Sequence, residues 1–323
     1  MKQFSSYLIA SMVLLAAVSC TSQDFKKTKS GLLYKIISDG KGEPAKKGQF
    51  LKVNVVQKIR DSLLYSSAGS VPVYMPVDSP KPVYSHTEIL SLLRKGDSAV
   101  VVLLADSLQR KFGGQLPPFI KKKDKITITF KVLDVFPSED LLVADRNQEL
   151  AKEKLRESST VESYLAANKI NAVKTDKGTY VVVQSVGDGA QVDSNKQVTV
   201  RYTGKLLSTG KVFQSNFPGA AGSQPGSDKP FSFVIGRSQV VPGWDDGLRK
   251  FRKGGKGTLY IPAFLAYDQQ AGPGGKPFEN LFFDIEVVDV TDAPPAPAQP
   301  AMPSGMQGMP QQGRPQQGRP QGH

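Results

Sequence analysis

The sequence has one cysteine, two histidines and one tryptophan among 323 residues. With Cys20 alone, no intrachain disulfide can form, which is unusual for an exported chain. His86 and His323 are isolated, and no metal-ligand or nucleophile–base spacing surrounds either. Hydrolytic and redox chemistry are therefore excluded, and neither a cofactor nor a metal is expected. Acid is also scarce, with 29 Asp and Glu against 42 Lys and Arg, a net charge of +13. The surplus is scattered, with short runs at residues 121–123 and 249–256. No helix-turn-helix, zinc-finger or RNA-binding pattern accompanies them, so nucleic acid is not an expected partner; a basic protein beside anionic lipid is.

The longest apolar run, residues 7–18, is too short to span a bilayer but suits a signal-peptide core. It leads into Ala17, Val18, Ser19 and Cys20, which resemble the lipobox of bacterial lipoproteins. The resemblance implies acylation of Cys20. Several acyl chains, at ~0.8 kcal/mol per buried methylene, would anchor the protein to a membrane. The expectation is a signal peptide at 1–19, a lipidated tether at 20–29 and a place in the bacterial cell envelope. An ordinary secretory signal with an incidental cysteine is the alternative. At the other end, residues 293–323 are rich in Pro, Gly and Gln, with a repeated "QQGRP". Such a segment has too little apolar surface to offset its ordering entropy, and is expected to be a disordered tail.

The middle of the chain repeats itself. Gly31, Gly40 and Gly42 fall at one constant offset from Gly178, Gly187 and Gly189. Downstream, "FLKVNVVQKIRDSLLYSS" parallels "QVTVRYTGKLLSTGKVFQSN", "LLRKGDSAVVVLL" parallels "KFRKGGKGTLYIP", and "ITFKVLDVF" parallels "LFFDIEVVDV". Four matches in one order argue for duplication. Period-2 alternation and turn residues make each copy strand-rich with one short helix, giving α+β domains at 30–137 and 172–292. Between them, residues 138–171 lack proline and glycine and read as a helical connector. It has a thin apolar stripe at Leu150, Leu155, Val161 and Leu165, and a possible break at Ser158 and Ser159. It either packs on one domain or pairs in a coiled coil.

In the second copy Val198, Val200 and Tyr202 share one strand face, and Phe213 lies on the return strand. Phe231 and Phe233 share a face of another strand. Pro242 and Gly243 introduce a short helix on which Trp244, Leu248 and Phe251 align, with Asp245 and Asp246 in its first turn. The motifs "VRYTG", "GKVF", "PFSFVIG", "QVVPGWDDGL", "IPAFLAY" and "LFFDIEVVDV" resemble the FKBP-type peptidyl-prolyl isomerases over residues 177–290. The resemblance implies two FKBP-like domains and, in the second, an apolar basin for a proline-containing peptide. Trp244 would floor it; Tyr202, Phe213, Phe231, Tyr267 and Phe283 would wall it; Val240 and Val241 would form the rim. It also implies macrolide inhibitors, and a hydrogen bond from Tyr267 to the bound carbonyl. Phe233 and Phe251 are assigned to core. Two departures stand out: Gln214 replaces an aspartate that follows the phenylalanine in most of the family, and Phe278 stands where a double proline is usual. Gln214 keeps an acceptor oxygen for Tyr202 but no charge.

The first copy keeps the framework without the pocket. His86 falls at the tryptophan position, Gln57 at the first tyrosine, Tyr65 at Phe213, and Leu108 near Tyr267. The expected function is peptidyl-prolyl cis-trans isomerisation by the second domain, assisting folding of exported polypeptides, beside a degenerate first domain. The alternative is a non-catalytic chaperone or binding lipoprotein on the same scaffold.

Overall fold

Alternation in "QVTVRYTGKL" becomes a strand that buries Val198, Val200, Tyr202, Gly204 and Leu206 on one side, and this strand organises one of two sheets. The computed structural model describes residues 25–113, 115–223 and 228–295. Cys20, the apolar run before it and the tail from residue 296 lie outside the described residues. The chain divides into two units: one runs to Tyr164 and includes Tyr267–Glu279, and the other holds Leu165–Ala266 and resumes at Asn280.

The first unit is built from β1 (Lys26–Lys27), β2 (Leu33–Ile37), β3 (Phe50–Ile59), β4 (Ser62–Ser66), β5 (Val73–Pro76), a 3₁₀ helix (His86–Leu92), β6 (Ser98–Leu104), α1 (Ala105–Phe112) and β7 (Lys125–Phe136). Its antiparallel sheet has the order β1-β2-β6-β7-β3-β4, with β5 also on β3. The core beneath it gathers Leu51, Val53, Ile89, Leu93, Val101 and Phe130. Lys26 and Lys27, expected in a tether, pair with Tyr34 and Leu33.

The long helix α2 (Glu139–Ala167) follows. It is continuous through Ser158 and Ser159, so the expected break is absent. Of the expected stripe, Val161 and Leu165 are buried and Leu150 half-buried, but Leu155 is 73% exposed, and Glu153 and Glu157 are buried as well. Polar groups hold this helix against the first unit. Lys52 Nζ lies 2.7 Å from Asp145 and 3.3 Å from Glu149, and the Tyr74 hydroxyl donates to Asp145 at 2.5 Å. Arg156 pairs with Glu153 and donates to the Gly69 carbonyl at 2.6 Å. The outward side chains of β3 and β5 offer a lysine and a tyrosine there, so carboxylates satisfy that face better than leucines would.

The second unit repeats the first. It comprises β8 (Val173–Lys174), β9 (Tyr180–Ser185), β10 (Lys196–Leu206), β11 (Val212–Ser215), β12 (Phe231–Val234), α3 (Pro242–Gly247), β13 (Lys256–Ile261) and β14 (Leu281–Asp292). Its order is β8-β9-β13-β14-β10-β11, with β12 on β10, the first sheet's order shifted by seven strands. Each unit is thus an antiparallel sheet wrapped on one short helix, an α+β fold. Gly243 lets α3 approach the sheet, because a Cβ there would lie 2.4 Å from Ile261.

Candidate functional site

The aromatic residues of the second unit converge on Trp244. Its ring centroid lies 5.0 Å from Tyr202, 5.2 Å from Phe283 and 5.6 Å from Phe233, the first two contacts edge-on. Phe213 meets Phe283 edge-on at 5.8 Å, and Phe231 stacks on Phe233 at 5.5 Å. Such edge-to-face packing matches the ring quadrupoles and fixes the walls. Trp244, Tyr202 and Phe283 are buried, whereas Phe213, Val240 and Val241 are half-buried and Phe231 is 40% exposed. The result is an apolar basin with a buried floor and an open mouth. Phe251 is fully buried and Phe233 nearly so, and Phe233 also touches the floor.

Local structure explains how the floor is held. Trp244 lies in the first turn of α3, whose entry at Pro242 follows an extended Val241. Asp246, buried, accepts from the Thr175 hydroxyl and from the Thr179 amide at 3.3 Å, while Thr179 Oγ1 donates to the Gly243 carbonyl at 3.3 Å. Asp245 Oδ1 accepts from the Gly236 amide at 3.0 Å. Both carboxylates, expected to complement the helix dipole, therefore tie the helix to neighbouring turns. Trp244 Nε1 is buried without a hydrogen-bond partner among the described residues.

Two residues that sequence reasoning passed over position the walls. Phe213 is the extra residue of a β-bulge, since Val212 pairs with Lys205 and Gln214 with Gly204. Its ring lies over Gly204, where a Cβ would sit 2.5 Å from Phe213 Cζ and 2.8 Å from Phe283 Cε1. Asn216, buried, accepts from the Tyr202 amide through Oδ1 at 2.6 Å and donates Nδ2 to the Val200 carbonyl at 3.1 Å. The glycine of "VRYTG" and the asparagine closing "VFQSN" were the available signals.

The structure brings together Tyr202, Phe213, Phe231, Val240, Val241, Trp244 and Phe283. Gln214 is exposed opposite Gly204, and its side chain makes no hydrogen bond among the described residues. Tyr267 and Phe278 are not in this cluster. Both lie in Tyr267–Glu279, which groups with the first unit and closes on itself: the Phe278 amide donates to the Asp268 carbonyl at 2.8 Å, with Phe278 at φ 56°. Tyr267 is 40% exposed.

Pairing register corrects the positions expected in the first unit. The Ser67 amide donates to the Val55 carbonyl and the Val55 amide to Ser67 Oγ, both at 2.9 Å, repeating the clamp between Asn216 and Tyr202. Val55, not Gln57, therefore stands at the Tyr202 position. Gln57 pairs with Tyr65 as Gly204 pairs with Gln214, so Tyr65 matches Gln214 and Leu64 matches Phe213. Val73 and Ile128 likewise match Phe231 and Phe283. His86 does stand at the tryptophan position, because the Gly96 and Gly254 amides reach Val132 and Val287 in the same way. Its ring lies 5.6 Å from Phe130, and burial lowers its pKa. A cavity of about 450 Å³ opens beside it, lined among others by Lys47, Met75, Lys81, His86 and Leu90.

An aromatic basin on a short helix, backed by an antiparallel sheet, defines a class of proline-peptide isomerases, and comparison with known proteins agrees. Residues 189–288 match the family described as FKBP-type peptidyl-prolyl cis-trans isomerase. The chain thus carries an FKBP-type peptidyl-prolyl cis-trans isomerase domain, and its two sheets are two FKBP-like α+β domains. It is similar to FK506-binding protein 4 of Neurospora crassa, 39% identical over 119 residues, 37% of this chain and 23% of that protein. It is also 39% identical over 111 residues to a peptidyl-prolyl cis-trans isomerase of Saccharomyces cerevisiae, 34% of this chain and 25% of that protein. The crystal structure of FkpA from Escherichia coli is 28% identical, covering 48% of this chain and 69% of that one, with a TM-score of 0.37. The chain spans about a quarter of the length of these curated relatives.

These relatives also correct the expected location. The curated relatives cited above are fungal FK506-binding proteins and isomerases, not lipid-anchored proteins of a bacterial envelope. The expectation rested on four residues around Cys20 and a short apolar run, a local pattern that packing does not constrain. No helix among the described residues is long and apolar enough to cross a membrane.

Proposed function

We propose that the protein catalyses cis–trans isomerisation of X–Pro bonds in polypeptides, and that the second unit alone does so. The observation that carries this is the aromatic basin around Trp244, open at Phe213 and Phe231 and closed at its floor. Rotation about X–Pro breaks amide resonance, with a barrier of about 18–20 kcal/mol. Uncatalysed, it takes roughly tens to hundreds of seconds. The reaction needs no nucleophile, metal or general base. A dry pocket that seats the proline ring and disfavours the polar planar amide lowers the barrier, and a thousandfold gain needs only about 4 kcal/mol.

In this reading Trp244 supports the proline ring. Tyr202, Phe213 and Phe283 wall it, and Phe231, Val240 and Val241 contact the flanking residues. Tyr267 and Phe278, which group with the first unit, have no part in this reading. Gln214, exposed at the mouth, leaves out the charge an aspartate would place there and so retunes the rate by a small factor. The first unit, with Val55, Leu64, Val73, His86 and Ile128 at the five matching wall and floor positions, is non-catalytic. Proline-containing polypeptides are the substrates, and macrolides that mimic the twisted amide are the inhibitors this basin suits.

A protease-coupled proline-peptide assay on the full chain tests the assignment. Trp244→Leu should lower kcat/KM by about tenfold or more, each tenfold being about 1.4 kcal/mol. His86→Ala should leave it unchanged. Equal losses from the two substitutions, or none from Trp244→Leu, would place the chemistry elsewhere. Proline-peptide binding at the basin without any isomerase activity in the unmodified protein would favour the binding-module alternative.

A further inference from the structure

The cavity beside His86 opens where the matching residues of the second unit are tied together. His86 follows Val73 by thirteen residues, as Trp244 follows Phe231, so Lys81 and Thr87 match Gln239 and Asp245. The Gly48 amide reaches the Val77 carbonyl as the Asn195 amide reaches that of Ile235, so Lys47 matches Ser194. In the second unit hydrogen bonds engage all three positions. Gln239 Oε1 accepts from the Val234 amide at 2.7 Å, Asp245 Oδ1 from the Gly236 amide at 3.0 Å, and Ser194 Oγ from Arg249 at 2.8 Å. Register also puts Met75 at the position of Phe233, which touches Trp244. With His86 and Met75 in place of those two aromatics, the first unit holds a cavity of about 450 Å³, an ordinary size for a ligand pocket.

The lining is apolar and basic. Leu90 is buried, Met75 half-buried and Val83 exposed, and the three give the cavity an aliphatic wall. Lys47 and Lys81 line it as well; both are exposed, and neither ammonium makes a hydrogen bond or ion pair among the described residues. Backbone contacts fix where they stand. The Val77 amide donates to the Gln49 carbonyl at 2.8 Å beside the Gly48 bond, and Pro80 and Pro82 stiffen the chain on either side of Lys81. Asp78 also lines the cavity, so the lining carries two cations and one anion. Burial lowers the His86 pKa, which leaves its ring uncharged at neutrality, and that ring makes no hydrogen bond among the described residues. A surplus of one positive charge suits a carboxylate, whereas a phosphate would bring about two negative charges. β5, whose Tyr74 and Met75 line the cavity, pairs only with β3, so its other edge has no strand partner among the described residues. Such an edge accepts an extended polypeptide.

We propose that this cavity of the first unit is a binding site for acidic polypeptide segments. An aliphatic side chain of the segment packs on Met75 and Leu90, and a neighbouring Asp or Glu carboxylate pairs with Lys47 and Lys81. The site needs no proline and stands independently of the isomerase reading. It gives the first unit a task for which aromatic walls are not required: selecting chains by charge and aliphatic content.

The test is a titration of the full chain, followed by fluorescence anisotropy, with the proline-free probe fluorescein-Gly-Leu-Glu-Leu-Glu-Gly-amide. The probe should bind, and its Gln-for-Glu counterpart should bind about tenfold more weakly or worse. Lys47→Met/Lys81→Met should weaken binding by a similar factor. Met75→Phe/His86→Trp, which installs the second unit's residues, should weaken it by filling the cavity. Both lysines are exposed, so their variant keeps the fold even where the second one does not. Lys121→Met/Lys122→Met removes the same charge from an exposed run that does not line the cavity, and should leave the affinity unchanged. An equal loss from that pair overturns the proposal, because binding then follows the chain's general positive charge. A Gln peptide with a free C-terminal carboxylate that binds as tightly as the Glu probe also overturns it, by making chain ends the ligand. So does a Glu probe that fails to bind.

Discussion

Gly204 has no side chain, and the basin depends on that. Phe213 leaves the regular strand pairing at a bulge and lays its ring where a Cβ at 204 would be. The matching position in the first unit is Gln57, which carries a side chain where the basin has none. Gly204→Ala should therefore displace Phe213 and Phe283 together. Overpacking of this kind costs about 1–3 kcal/mol, which a thermal melt would register as a lower Tm. Isomerase kcat/KM should fall at the same time. Adding Phe213→Leu should restore the Tm but not the activity, because space returns without the aromatic wall. A Gly204→Ala chain with unchanged Tm and rate would mean the bulge tolerates the methyl and the glycine is incidental.

At the scale of elements, the first half of α2 is fastened by charge, through Asp145 and Glu149. Burial opposes ionisation of Asp145, but hydrogen bonds from Lys52 and Tyr74 outweigh it and hold its carboxyl below the usual range. The hydrogen bond from Lys152, helped by Lys52, does the same for Glu149. Burial would lower the Lys52 pKa, yet its two carboxylate partners raise it. Burial and the bond to Asp145 raise that of Tyr74. The signs set the window. The two depressed carboxylates stabilise the folded state above their unfolded values near 3.8 and 4.5, and that contribution is lost as pH falls through the folded values. The raised Lys52 contributes below 10.5 and loses it only as pH rises through its folded value. Hydrogen-exchange protection in the first half of α2 should therefore be flat around neutrality and drop below about pH 4.5. Lys52→Met should remove part of that protection at pH 7. Protection insensitive to both acid and the substitution would return the helix to an apolar mode of attachment.

For the whole molecule, the two units share strand order, the clamp between Ser67 and Val55 or Asn216 and Tyr202, and a carboxylate on the short helix held by the turn before the first long strand. Glu88 takes the Ser30 hydroxyl at 2.6 Å in one unit, and Asp246 takes Thr175 in the other. Duplicated frameworks with different interiors should unfold independently. Trp244 fluorescence follows only the second unit, whereas far-UV circular dichroism follows both. In denaturant the two probes should give non-coincident transitions, and Lys52→Met should move the one that fluorescence does not see. Coincident transitions that shift together would show a single cooperative unit.

The sequence by itself determined the duplication, the α+β class, the short helix behind "VVPGW" and most of the basin. Period-2 alternation, turn glycines and an aromatic cluster in fixed order are local signals, and local signals survive in a one-dimensional text. Tyr202, Phe213, Phe231, Val240, Val241, Trp244 and Phe283 were legible through the resemblance of their motifs to the FKBP family. Tertiary structure alone decided register, which depends on a bulge that shifts pairing by one residue, and so moved Gln57 and Tyr65 from their expected places and put Val55 and Leu64 there. It alone decided that Gly204 and Asn216 shape the walls, because a close approach and a cross-strand clamp exist only between distant segments. It also added Glu153 and Glu157 to the buried residues of α2 and left Leu155 of the expected stripe exposed, while Val161 and Leu165 stayed buried. A helical stripe shows which side is apolar, but the partners of its polar residues, here Lys52 and Tyr74 for Asp145, come from strands distant in sequence.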